Sequence, residues 1–474
     1  MPVRVRPRAP MIALNVWSLG YIESFFIMDI SNLKLVYGVL SKVYRDGAYS
    51  NIALNHTLKD NPSCDTASVT HMVYGVLKYD TQLEWITKQL VTKSTKASLI
   101  VLLKMGIFAL RYTKTPHYAT VDSCVQLAKV VFKGGVTGLT NAVLKKSIDL
   151  NLPKLDKTPH SLSINYSCPQ WIVELMIKEH GIDTTVNFLS CELDYRTHIR
   201  PNLAVIDRDT LYKKLQSVGD VSTSKLGFYV DAKHLKALDN KEYAIQSLSS
   251  MLVINALGSD NIGEVLDLCA APGGKSVYYL QNNPKARLIA CDIHAHKLDL
   301  IRNYAEKMSV SKDISAPSKL LVSDKTYSPE NLSVSDRIEV FQNDATVYNE
   351  KWENKFDTVL CDVPCSGLGL VYSKHDIVLN IKKENIKSLT KIQTQILHNA
   401  SLYTKQGGKI LYSTCTTTKS ENEQIITEFL KTHPDFKLQP VHNEYINTNS
   451  DNFIRLWPHV DGTDGFFGAV LQRL

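Results

Sequence analysis

The ten residues Asp267-Leu268-Cys269-Ala270-Ala271-Pro272-Gly273-Gly274-Lys275-Ser276 constrain the fold most, because they join two different periodicities. The apolar Val265-Leu266 before them reads as a short strand, and Val277-Tyr278-Tyr279-Leu280 after them as the start of a helix. A strand, a turn of small residues and then a helix is how an open α/β sheet presents backbone N–H groups at its carboxyl edge. A P-loop would need Gly where Cys269 stands, five positions before Gly274-Lys275-Ser276. A nicotinamide site would want G-x-G-x-x-G, whereas only the adjacent pair Gly273 and Gly274 follows Pro272. A plain strand-to-helix turn fits the loop alone. The acidic residues downstream argue for a ligand.

Those acids recur at the ends of successive apolar runs. Arg287-Leu288-Ile289-Ala290-Cys291 leads to Asp292, Arg337-Ile338-Glu339-Val340-Phe341 to Asp344, and Phe356-Asp357-Thr358-Val359-Leu360-Cys361 to Asp362. In a doubly wound sheet these ends face one crevice. A carboxylate after the second strand can accept from both hydroxyls of a ribose, and one after the third from an adenine amino group. A single Asp there is usually a helix N-cap, but three beside a Gly-rich turn point to a nucleoside-containing cofactor. Two thiols open into the same crevice: Cys365 in Asp362-Val363-Pro364-Cys365-Ser366-Gly367, and Cys415 after Lys409-Ile410-Leu411-Tyr412-Ser413-Thr414. Each ends a strand beside Pro, Gly, Ser or Thr, unlike a buried structural cysteine inside an apolar run.

On these motifs the chain resembles the RNA cytosine-5 methyltransferases, and within them the bacterial 16S ribosomal RNA methyltransferase B (RsmB, Sun/Fmu) family. Glu421-Asn422-Glu423, Trp457-Pro458 and Asp461-Gly462-Thr463-Asp464-Gly465-Phe466-Phe467 extend the match, which spans most of 263–474. The resemblance implies a Rossmann-like class I methyltransferase domain over 241–474, with S-adenosylmethionine as cofactor. It would be bound by Cys269, Ala270, Ala271, Pro272, Gly273, Gly274, Lys275, Asp292, Asp344 and Asp362. It assigns the nucleophile to Cys415 and product release to Cys365, with Asp362 and Lys275 in the catalytic set. Cytosine-5 DNA methyltransferases use the cysteine of the Pro-Cys loop, so both cysteines together point to RNA.

The chemistry explains these residue types. C5 of cytosine is too weak a nucleophile to take a methyl group directly, so a thiolate adds to C6 and makes C5 enamine-like. A base then removes the C5 proton, and elimination frees the enzyme. The thiol must ionise, which nearby positive charge such as Lys275 favours. Asp362 would hold either the cytosine edge or the cofactor's amino group.

Upstream, Ile30, Leu33, Val36, Tyr37, Leu40, Val43 and Tyr44 recur at helical spacing, and further helices are predicted over 69–78, 83–90, 97–111 and 121–132. Tyr74-Gly75-Val76-Leu77, Met105-Gly106, Ala119-Thr120-Val121 and Gly138-Leu139-Thr140-Asn141 resemble the all-α NusB-type RNA-binding bundle, assigned to 28–150. The stretch 151–240 resembles the family's small α/β linking subdomain. Residues 1–27, with Arg4, Arg6 and Arg8 before a broken apolar run, read as an extension or an over-called start, with Met28 as initiator.

Three places depart from the family pattern. Gln246-Ser247 lacks an expected acid after Gln, 311–335 looks like a surface insertion, and Tyr372-Ser373-Lys374-His375-Asp376-Ile377 replaces a basic pair and Pro in a loop expected to touch substrate.

With 54 Lys+Arg against 47 Asp+Glu, the net charge of +7 is mildly basic, compatible with an RNA partner. Nine cysteines without C-x-x-C or a His/Cys zinc spacing imply a reducing cytoplasm and no structural metal. The expected partner is 16S ribosomal RNA or a small-subunit precursor, met by a monomer without membrane contact. Transfer RNA as substrate, or a non-catalytic NusB-like assembly protein, are the alternatives.

Overall fold

In a computed structural model, residues 29–92, 94–194, 196–259, 263–309, 332–446 and 451–474 are described. The expected N-terminal extension and most of the expected 311–335 insertion lie outside them. The chain divides into two units: the residues up to 195 with Val371–Lys382, and Arg196–Leu370 with Lys383–Leu474.

The first unit is helical. Asp29 accepts from Asn32 N at 2.8 Å and so caps the helix Ile30–Asp46, which Gly47 ends in the left-handed conformation. Leu33, Val36, Val39, Leu40 and Val43 are its buried stripe, as the spacing predicts. Helices Thr66–Lys78, Asp80–Leu90, Ala97–Tyr112 and His117–Val131 cover the other predicted stretches. Ala97–Tyr112 is apolar on nearly every side and is the buried centre of the unit. Its one buried cation, Lys104, lies 2.7 Å from both Asp80 and Glu84. Burial would lower its pKa, but the two carboxylates hold it above its ordinary value. Gly75 explains one motif of the resemblance: a Cβ there would stand 2.1 Å from Phe108 Cζ, so the helices meet only because it is absent.

The stretch expected as one subdomain, 151–240, is divided. Helices Pro159–Asn165, Gln170–His180 and Ile182–Ser190 group with the first unit, tied to it by Gln82 Nε2 donating to Ile164 O at 3.0 Å. The rest begins the second unit as a four-stranded antiparallel sheet. Its strands are β1 (Thr197–Pro201), β2 (Val221–Thr223), β3 (Phe228–Val230) and β4 (Tyr243–Ile245), in the order β2-β3-β1-β4. Helix Arg208–Val218 buries Leu211 and Leu215 against Phe228 and Val230.

The second unit's main sheet comprises β5 (Gly263–Asp267), β6 (Ala286–Asp292), β7 (Ile338–Gln342), β8 (Phe356–Asp362), β9 (Thr404–Thr414), β10 (Phe436–Gln439), β11 (Ile454–Leu456) and β12 (Phe466–Arg473). Its order is β10-β12-β9-β8-β5-β6-β7, with β11 beside β12. Strands β5 to β9 pair in parallel and β12 runs antiparallel to β9. The direction of winding reverses between β5 and β8, so the crevice for a ligand opens past their carboxyl ends. That is where Asp267 and Asp362 stand. Among the described residues no helix is long and apolar enough to cross a membrane.

Candidate active site

The turn after β5 is held from inside. Leu268 N donates to Leu360 O at 3.0 Å, Ala270 N to Cys291 O at 2.7 Å and Gly273 N to Ala270 O at 2.7 Å. Cys269 N reaches Asp267 Oδ1 at 3.2 Å. These N–H groups therefore serve the turn itself. The donors left facing the crevice belong to the first turn of helix Gly274–Asn282, whose N–H groups have no intrahelical partner. Gly273 takes φ +106°, and a Cβ on it would lie 3.2 Å from Ile301 Cα, so the helix can start this close only on glycine.

Asp267 is fully buried beneath this turn, accepting from Ser276 Oγ at 2.6 Å. Burial pushes its carboxyl up to about 6; the Ser276 bond opposes this, and the nearby Asp362 charge adds to it. The folded value exceeds the unfolded one, so from about pH 4 to 6 the native chain binds more protons than the unfolded chain. Stability owed to this group is therefore full below pH 4 and falls as pH rises to 6, by on the order of 3 kcal/mol. Asp267→Asn, which keeps the shape and cannot ionise, is expected to become more stable relative to the parent between pH 4.5 and 7. Denaturant unfolding at both values reads this, and an equal difference at both contradicts it.

The remaining predicted cofactor residues end their strands as expected. Asp292 ends β6, 8% exposed, and its interactions within the chain fall on Oδ1: His294 N at 2.9 Å and Lys297 Nζ at 3.9 Å. Asp344 is half-buried just past β7 and accepts from Thr346 N and Oγ1 at 2.9 and 2.7 Å through its Oδ1. Acidic acceptors after β6 and β7 beside a helix N-terminus fit the ribose, adenine and charged tail of a nucleoside cofactor.

The catalytic candidates come together at the ends of β8 and β9. In-register pairing sets Asp362 beside Ser413, and Val363 N donates to Ser413 O at 3.1 Å. Asp362 Oδ2 accepts from Lys275 Nζ at 2.7 Å and Oδ1 from Ser413 Oγ at 2.8 Å. Burial works to lower Lys275, but Asp362 foremost, then Cys415 and Asp267, keep its pKa raised. The ammonium also lies 5.2 Å from the Phe466 ring centre. Cys365 Sγ and Cys415 Sγ are 3.3 Å apart, both half-buried. The hydrogen bond to Cys415, then burial, then the charges of Cys415 and Glu421, push the Cys365 thiol well up. The pair therefore sets a thiol that holds its proton firmly, that of Cys365, against the Cys415 sulfur.

Sequence reasoning gave no role to Ser413, although it lies two residues before Cys415 on β9, the period that puts side chains on one face. It also gave no role to Gln246, the residue before the departure at Ser247. Gln246 Oε1 accepts from Arg200 Nε at 2.8 Å, and its Nε2 donates to Gly274 O at 3.2 Å. Arg200 is 4% exposed and stacks 4.9 Å from the Tyr278 ring centre, so a neutral amide serves as hinge between a buried guanidinium and the cofactor helix. The loop expected to touch substrate groups with the first unit, burying Tyr372 and Asp376 while Ser373 and Lys374 stay exposed. There Asp376 Oδ2 accepts from Ser50 N and Oγ at 2.9 and 2.8 Å, and Tyr372 OH bonds Phe188 O. Asp376 and Tyr372 are thus structural anchors, because an unsatisfied helix N-terminus and a buried carbonyl take their polar atoms.

Residues 254–472 match the family model described as 16S rRNA methyltransferase RsmB/F, and residues 32–149 that of the NusB family. A probable ribosomal RNA small subunit methyltransferase B of Bacillus subtilis is 29% identical over 458 residues, covering 92% of this chain and 97% of the relative. The ribosomal RNA small subunit methyltransferase B of Photorhabdus laumondii is 28% identical over 432 residues, covering 88% and 92%. The crystal structure of PH0851 superposes with a TM-score of 0.75 at 20% identity, covering 95% of this chain and all of that one, a likeness that shows the fold.

Proposed function

We propose that this chain, which matches the RsmB/F methyltransferase model over residues 254–472 and the NusB model over residues 32–149, methylates C5 of a cytosine in 16S ribosomal RNA. The observation that carries this reading is the thiol pair, Cys365 and Cys415 at 3.3 Å, set beside the Lys275–Asp362 ion pair. A methyltransferase acting on an oxygen or an amino nitrogen needs no thiol there; one acting on C5 needs a thiolate to add to C6, and a second thiol at that sulfur can serve its release.

Cys415, flanked by Lys275, is the thiolate that adds to C6; the C5–C6 π electrons move toward N3 and C5 becomes nucleophilic. S-adenosylmethionine, held by the Gly273-Gly274 helix start, Asp292 and Asp344, supplies the methyl group. The C5 proton then leaves to a base, the electrons re-form the C5–C6 bond, and the C6–S bond breaks to return the Cys415 thiolate. Cys365, poised on the same sulfur, serves this last stage. Asp362 keeps Lys275 charged and in place, and its remaining lone pairs can accept from the cytosine amino group or the cofactor's. The target cytosine must reach Cys415, so it is single-stranded or turned out of its helix. The NusB-like region supplies a second RNA contact.

Incubation with methyl-labelled S-adenosylmethionine and unmethylated 16S ribosomal RNA or transfer RNA, followed by nucleoside analysis, tests this. Label in 5-methylcytosine from ribosomal RNA alone is expected. Label in transfer RNA alone would keep the chemistry and overturn the target; label in another nucleoside would overturn the chemistry.

A further inference from the structure

Glu421 follows Cys415 by six residues, and the reaction above leaves it without a part. Its side chain is completely buried, a costly place for a carboxylate unless every lone pair is used. Four donors use them. Oε1 accepts from Ser366 N at 2.8 Å and Gln393 Nε2 at 3.1 Å; Oε2 accepts from Ser366 Oγ and Thr418 Oγ1, each at 2.6 Å. Gln393 Nε2 also donates to Pro364 O at 2.9 Å, and Ser366 Oγ lies 2.8 Å from Thr416 Oγ1. One carboxylate thus gathers both chain neighbours of Cys365 and the turn after Cys415. Asn422 completes the frame, its Nδ2 donating to Thr416 O at 2.9 Å and its Oδ1 accepting from Thr414 Oγ1 at 2.6 Å.

We propose that Glu421 is the positioning residue of the thiol pair: by binding the Cys365 loop to the 416–418 turn, it sets the 3.3 Å approach of Cys365 to Cys415. The proposal rests on the thiol-pair reading of the site. The charge matters as well as the tie, because a neutral group could join the same hydroxyls. Glu421 lies on the Cys365 side of the pair and contributes to the raised Cys365 thiol, after the Cys415 bond, burial and the Cys415 charge. Lys275, with Asp362, lies on the Cys415 side. The other titratable group against the pair is Tyr412, whose OH donates to Glu421 O at 2.6 Å and which burial, then Cys365 and Glu421, keep protonated. The Glu421 charge thus favours the proton on Cys365, the thiol that its bonds hold against Cys415.

The test reads thiol separation without RNA or cofactor. Diamide takes one hydrogen from each thiol, becomes the hydrazine and leaves a disulfide, which peptide mass mapping assigns to Cys365 and Cys415. In the full chain, Glu421→Ala is expected to slow this cross-link by about tenfold or more. It should also lower kcat for methyl transfer about 10²-fold, with KM for S-adenosylmethionine within about threefold, as loss of alignment rather than of binding requires. Glu421→Gln, which preserves the shape, is expected to cross-link readily but with its pH midpoint lowered by about half a unit or more. Cross-linking of Glu421→Ala at the parent rate, or an unmoved midpoint in Glu421→Gln, overturns the proposal. A parent chain that cross-links as expected but makes no 5-methylcytosine overturns the function proposed above and leaves the role of Glu421 in setting the pair standing.

Discussion

Cys415→Ala is expected to lower methyl transfer by at least about four orders of magnitude, in the range seen when a covalent nucleophile is removed. The cofactor is still expected to bind, because Asp292 and Asp344 are held by His294 N and by Thr346, not by this thiol. The Cys415 carbonyl accepts from Gly369 N at 3.0 Å, a bond that survives the substitution. The helix start at Gly274 follows β5, Asp292 ends β6 and Asp344 lies just past β7. Calorimetric titration with S-adenosylmethionine beside the labelled-methyl assay separates the two effects. Retained turnover in the variant would remove Cys415 from the mechanism and pass the nucleophile's role to Cys365.

Cys365→Ala is expected to do something qualitatively different: to accumulate protein joined to RNA. Cys415 keeps its flanking Lys275 and can still add to C6, so the first half of the reaction proceeds. What is lost is the thiol 3.3 Å from the Cys415 sulfur, the group placed to serve elimination. Turnover should fall by about 10² to 10⁴-fold, the usual worth of a positioned acid or base. The adduct would appear as a slow band on a denaturing gel, sensitive to ribonuclease and carrying the methyl label. Clean turnover without such a band would leave Cys365 a bystander. In the double variant, loss of the band is required, since the bond being trapped is made by Cys415.

Much of this molecule is legible in the residue string, for identifiable reasons. The strand, turn and helix around Asp267 and Lys275 are local: apolar period, small residues and paired glycines within one short window determine them. The same holds for the acids after β6, β7 and β8, since a strand's carboxyl end can be counted from its apolar run. The helical unit was readable because a three-and-four spacing survives without knowledge of what covers it, as in Ile30–Asp46. The division of 151–240 was not readable, because helix and strand signals there do not say which unit each element joins. Nor was the use of Asp376 as a cap for a helix 326 residues earlier in the chain. Both depend on packing partners remote in sequence.

The sequence by itself determined that two thiols, a lysine and three strand-end acids belong to one sheet edge, because a parallel sheet sends every such end the same way. Only the tertiary structure decided how the two thiols differ. Cys365 and Cys415 are equivalent as letters, and their separation and charge environment arise from Lys275 reaching Asp362 across 87 positions and Glu421 reaching Ser366 across 55. Contacts of that range are products of strand order and register, and they tie a buried carboxylate to the loop of Cys365 and an ammonium to the carboxylate that ends β8.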